Sequence, residues 1–127
     1  MSWSGFFAVG LGGALGCWMR WGLSLALNPL FSGILLGTLV ANLIGGYLIG
    51  AAIEFFVQQD VIPPEWRLFV VVGFLVGLTT FSSFSVEAVE LLRSREFGWT
   101  LALVGMHLIG SLAMTYLGIM TVKWVQA

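Results

Sequence analysis

Charge is what this chain has least of. Only 9% of its 127 residues are Asp, Glu, Lys or Arg, whereas a soluble domain carries about a quarter. With 59% hydrophobic residues and a mean hydropathy of +1.02, a water-soluble fold is excluded and an integral membrane protein is implied. A net charge of −1 gives no electrostatic reason to bind nucleic acid. Cysteine is nearly absent too. Cys17 stands alone, so no internal disulfide can form, and its place among glycines in an apolar run reads as a small packing residue. No basic segment precedes the first apolar stretch, so no cleavable signal peptide is expected. Proline is rare, and its three copies, Pro29, Pro63 and Pro64, all fall between apolar runs.

What is present is long apolar sequence. A spanning helix needs roughly 20 apolar residues, and four such runs are expected: roughly 3–27, 34–56, 68–92 and 99–122. "NPL" (Asn28 to Leu30), the Pro-Pro loop "QQDVIPPEWR" and the turn "RSREFG" separate them. Nothing is left for a soluble domain, so residues 1–127 are expected to form a single four-helix membrane domain of the all-α class. All six tryptophans lie near span boundaries, as an interfacial belt requires. The glycine pairs Gly12–Gly16, Gly46–Gly50 and Gly73–Gly77 have the spacing that lets helices approach closely.

Four spans put both termini on one side of the membrane. Arg67 and Lys123 then lie on the terminal side, and Arg93 and Arg95 on the other, with Arg20 near the end of the first span. Neither side wins, so insertion in both orientations is expected. Four short helices enclose little space, so any transport pathway implies an oligomer, and an antiparallel dimer suits the charge count.

Polar residues inside spans are costly and tend to face protein or a pathway. Thr38 and Asn42 share a face of the second span, and His107, Ser111 and Thr115 form a stripe on the fourth. On the third, Phe81, Phe84 and Ser85 share one face, while Ser82 and Glu87 lie towards others. Each has a bland reading: hydroxyls bond their own helix, Asn42 joins two helices, His107 is a core histidine, Arg20 snorkels, and phenylalanines at helical spacing pack. Their sum favours an anion. Amide and hydroxyl donors and the positive edges of aromatic rings line up, while the middles of the first, second and fourth spans contain no carboxylate. "GLTTFSSFS" (Gly77 to Ser85) places weak helix formers at bilayer depth. A break there, near the middle of the third span, is tolerated only when it is buried in protein or lines a cavity, and its unpaired carbonyls can hold a cation.

This stretch, with "GTLVANLIGGYLIG" (Gly37 to Gly50), "GGALGCWMRW" (Gly12 to Trp21) and the ending "HLIGSLAMTYLG", resembles the Fluc-type (CrcB-like) fluoride channels of bacteria over the whole chain. The resemblance implies an antiparallel, dual-topology homodimer in the lipid of the bacterial inner membrane, with two fluoride pathways. It implies passive export of fluoride, lowering its toxicity in the cell, and no enzymatic activity. By motif position it implies that Asn42, Phe81 and Phe84 line the pathway, with Ser82 and Ser85 as neighbouring hydroxyls. Thr38, His107, Ser111 and Thr115 match a polar track, and Arg20 matches an arginine near the pore entrance. It also implies a structural sodium ion (Na+) at the dimer centre, held by the backbone carbonyls of Val76 and Thr79. Many members have glycine where Val76 stands, and they often have another residue type at His107. Glu87 receives no role. Two rival readings exist. A small multidrug exporter depends on an acid deep in its first span, which this chain does not have. A non-transporting assembly protein would use the polar groups only to join helices.

Overall fold

The computed structural model describes all 127 residues and is all-helical. Helix α1 (Trp3–Leu27) starts at Ser2, whose side chain accepts from the Gly5 N–H at 3.0 Å. It stops where Asn28-Pro29-Leu30 tightens into a 3₁₀ turn, as expected of the Asn-Pro pair. Helix α2 (Leu36–Val57) has leucine at its N-cap and so lacks a cap of its own. Two distant side chains serve instead. The Asn28 Oδ1 accepts from Gly37 N–H at 2.7 Å, and Glu87 Oε2 accepts from Leu35 N–H at 2.7 Å.

The third rod, Pro64–Arg93, is composite. It comprises α3 (Pro64–Arg67), a π-helical stretch (Leu68–Leu75), α4 (Val76–Leu78), an extended pair Thr79-Thr80, and α5 (Phe81–Arg93). The interruption expected in "GLTTFSSFS" is therefore real, but Gly77 does not make it. Gly77 is helical; its missing Cβ lets α1 pass, since a Cβ there would lie 2.7 Å from the Gly13 carbonyl. The break is Thr79 (φ −88°, ψ 156°) and Thr80 (φ −152°, ψ 121°). A hydroxyl residue in extended backbone is the usual N-cap, and Thr80 Oγ1 accepts from Ser83 N–H at 3.1 Å to start α5. Arg95, at φ 59°, ends α5 in a left-handed turn, and α6 (Phe97–Gln126) follows, longer at both ends than the run 99–122.

Helix α2 packs along α6, α1 packs along the π stretch and α4, and α5 leans on α6. The expected glycine pairs sit at these contacts. Gly12 and Gly16 meet the backbone of the third rod, and Gly50 and Gly118 bring α2 and α6 together at Thr115 and Tyr47. Cys17 departs from its expected packing role. Its side chain is exposed, and only its backbone approaches Gly77.

Only 19 of the 127 residues are buried, and large apolar side chains point outward along every helix, the reverse of a soluble core. Three helices are long and apolar enough to cross a membrane: Leu36–Val57, Pro64–Arg93 and Phe97–Gln126. The 25 residues of α1 have the length; its glycines, serines and Arg20 leave it less apolar than the other three.

Candidate functional site

The break is held open from two sides. From α2, Asn42 grips Thr80 twice: its Oδ1 accepts from the Thr80 N–H at 2.7 Å and its Nδ2 donates to the Thr80 carbonyl at 3.0 Å. From α1, Arg20 Nε donates to the Gly77 carbonyl at 3.1 Å. Thr79 turns back, its N–H at 3.1 Å and its hydroxyl at 2.9 Å both reaching the Leu75 carbonyl. These bonds satisfy Gly77 and Thr80 but leave the carbonyls of Val76, Leu78 and Thr79 without a donor from the chain. No group of three or more His, Cys, Asp or Glu side chains gathers anywhere, so oxygen of the backbone is the donor set that the break presents. Unwound backbone carbonyls of this kind can coordinate a cation.

Beyond the break lies a groove of about 290 Å³ between α5, α2 and α6. It brings together Asn42, Phe81, Phe84, His107 and Ser111 from the expected pathway with Thr79 from the expected sodium site, and adds Thr80, Leu108 and Leu112. Phe81 meets Phe84 edge-to-face, ring centroids 5.4 Å apart. Phe84 lies over His107 at 4.6 Å, whose Nδ1 is 3.0 Å from Asn42 Nδ2. Phe81 is 78% exposed, so the groove is open on that side in the single chain.

The other expected residues sit elsewhere. Ser82 bonds the Thr80 hydroxyl at 3.2 Å and opens into a second, larger groove of about 600 Å³ with Glu87, between α5 and the α1–α2 connection. Ser85 and Thr38 line neither groove, and Thr38 is buried in α2. Thr115 continues the row of His107 and Ser111 but lies beside Gly46, outside the groove. Arg20 lies at the break, where its guanidinium also comes within 3.9 Å of Cys17 Sγ.

Two residues were undervalued in the sequence. Thr80 is both N-cap and the backbone partner of Asn42; a hydroxyl ahead of a new helix was the available signal. Glu87, which has no expected role, ties α5 to the start of α2 through Leu35. No local pattern announces that bond, because its partners are 52 positions apart.

Comparison with known proteins decides the family. The model described as "CrcB-like protein, Camphor Resistance (CrcB)" matches residues 7–119, a range that includes every expected site residue from Arg20 to Thr115. The chain belongs to the CrcB family. Its relatives in that family are similar from end to end. A protein of Nitrosospira multiformis named fluoride-specific ion channel FluC is 59% identical over 118 residues, 93% of this chain and 92% of the relative. Proteins of the same name from Pseudomonas aeruginosa (51% identical, 97% of each chain) and Nitrosomonas europaea (49%, 98% of each) align over nearly everything. A CrcB-family chain with three such apolar helices is a multi-pass membrane protein.

Proposed function

We propose that this chain is a fluoride-selective ion channel, not an enzyme, that lets fluoride leave the cytoplasm passively and so lowers its toxicity. The observation that carries this reading is the end-to-end relation to proteins named fluoride-specific ion channels. Fluoride is small and holds its water tightly, so a pathway must replace that water at close range. Phe81, Phe84, His107 and Ser111 line the groove, with Asn42 at its wall, and the positive edges of aromatic rings are the kind of partner a stripped anion takes. Thr115 and Thr38 extend the polar row along α6 and α2, and Ser82 and Ser85 supply hydroxyls on the flanks of α5. Arg20 adds the positive charge nearest the break.

The working unit is an antiparallel, dual-topology homodimer in the bacterial inner membrane, with α1 as a fourth span and lipid around the outside. Open backbone is not tolerated against hydrocarbon. The free carbonyls at Val76 and Thr79 and the open groove therefore need a cover, and a second copy is the partner whose own break comes in register. Carbonyls of Val76 and Thr79 from both copies would hold a structural sodium ion at the dimer centre, which neutralises oxygens that lack any other partner.

Two measurements test this together. Expressed in a bacterium lacking its own fluoride exporter, the chain should restore growth in fluoride medium. A cysteine placed at the C-terminus should label from both sides of the membrane. Labelling from one side only, or no growth despite membrane expression, contradicts the proposal.

A further inference from the structure

Asn42 has two amide hydrogens, and in this chain both are engaged. The Thr80 backbone fixes the orientation of the amide: its N–H requires an oxygen at 2.7 Å and its carbonyl requires a donor at 3.0 Å. A flipped amide would set donor against donor and acceptor against acceptor. With Oδ1 and Nδ2 so assigned, the second N–H of Nδ2 falls on His107 Nδ1, 3.0 Å away. That nitrogen must therefore accept, which puts the proton of the neutral ring on Nε2. The Nε2 atom is buried and has no partner within the chain, although His107 lines the groove and is only 4% exposed.

We infer that His107 is a positioning residue that orients the pathway amide: it accepts from Asn42 at Nδ1, completes a Thr80–Asn42–His107 chain of hydrogen bonds, and holds its own proton on the buried Nε2. The inference deepens the fluoride-channel reading and rests on it for its flux arm alone. The tilted stack of Phe84 on the imidazole, at 30° between planes, holds the ring against rotation. Thus the phenylalanine, the imidazole and the amide are one unit drawn from three helices, and a change at His107 acts on the break through Asn42.

His107 is the only histidine in the chain, so a ¹⁵N-histidine sample of the full-length, untagged protein in lipid gives signals from one ring. The inference expects Nε2 to show a directly bonded proton and Nδ1 to appear as a bare nitrogen at neutral pH. A proton on Nδ1 overturns it, whether or not the protein conducts fluoride. The second arm is flux from loaded liposomes. His107→Leu leaves the Asn42 N–H unmet and should lose roughly tenfold, and His107→Asn, which offers an amide oxygen where Nδ1 stood, should recover most of that loss. Leucine and asparagine variants that behave alike, both active or both impaired, overturn the positioning role. Where the leucine variant fails to assemble, the nitrogen spectrum decides. A wild-type protein that shows the expected tautomer but passes no fluoride contradicts the channel reading and leaves the hydrogen-bond assignment standing.

Discussion

Arg20, on the first helix, donates its Nε–H to the carbonyl of Gly77, 57 positions away, at 3.1 Å. The bond meets an oxygen that the interruption at Thr79 and Thr80 would otherwise leave bare, so the one arginine within the first apolar run is a backbone cap on another helix. A hydrogen bond from a charged donor contributes about 1.5–3 kcal/mol. Arg20→Met keeps the stem and removes the donor. It should lower the thermal stability of the purified protein by an amount of that order, read as an earlier loss of the folded protein in size exclusion after heating. An unchanged melting profile would mean that the Gly77 carbonyl is met in some other way.

Asn42→Asp separates charge from shape. Aspartate still accepts from Thr80 N–H, but its second oxygen faces the Thr80 carbonyl and His107 Nδ1, both acceptors at 3.0 Å from the present nitrogen. If fluoride passes along this groove, a carboxylate in its wall also repels it. Fluoride flux should fall at least about tenfold, whereas the variant should still insert. Flux within twofold of wild type would show that the amide nitrogen is not needed.

Glycine at position 118 is a matter of space. A Cβ there would overlap the Tyr47 carbonyl on α2, with nothing flexible to give way, whereas a Cβ on Gly98 meets nothing. Gly118→Ala should push α2 from α6 and cost a few kcal/mol, as overpacking does (typically ~1–3 kcal/mol). Gly98→Ala should be neutral. Equal thermal stability of the two variants would contradict the packing.

How much of this was legible beforehand depends on range. The rods were readable because apolar run length and proline placement are local signals, and the break was readable because hydroxyl pairs are poor helix formers. Weak helix propensity implicates Gly77 together with the threonines, but glycine also serves close approach, and only the neighbouring α1 reveals which use applies. Cys17 failed for a related reason, since helical rotation decides whether a small residue faces a neighbour or the outside. Asn42, Phe81, Phe84, His107 and Ser111 could be gathered from face spacing and the family resemblance. The Glu87–Leu35 bond and the Thr80 clamp could not, because each joins positions that only tertiary folding brings together.

The carbonyls of Val76 and Thr79 make a prediction about ions. If they hold sodium, the contact is through backbone oxygen, so Thr79→Ser, which keeps the hydroxyl bond to Leu75, should conduct normally. Purification with sodium replaced throughout by a large organic cation should lower fluoride flux or dissociate the oligomer, and returning sodium should restore it. Full flux and an intact oligomer without sodium would remove the ion from the account.

The central claim is selectivity, and one comparison tests it. Liposomes carrying the purified protein are loaded with equal fluoride and chloride, potassium is allowed to follow through an ionophore, and both anions are read at the same time with ion-selective electrodes. The account predicts rapid fluoride efflux with chloride retained, and a lower fluoride rate with Phe81→Ile or Phe84→Ile, which keep apolar bulk but remove ring edges worth about 1 kcal/mol each. Comparable efflux of both anions from the wild-type protein, or none of either, would contradict it.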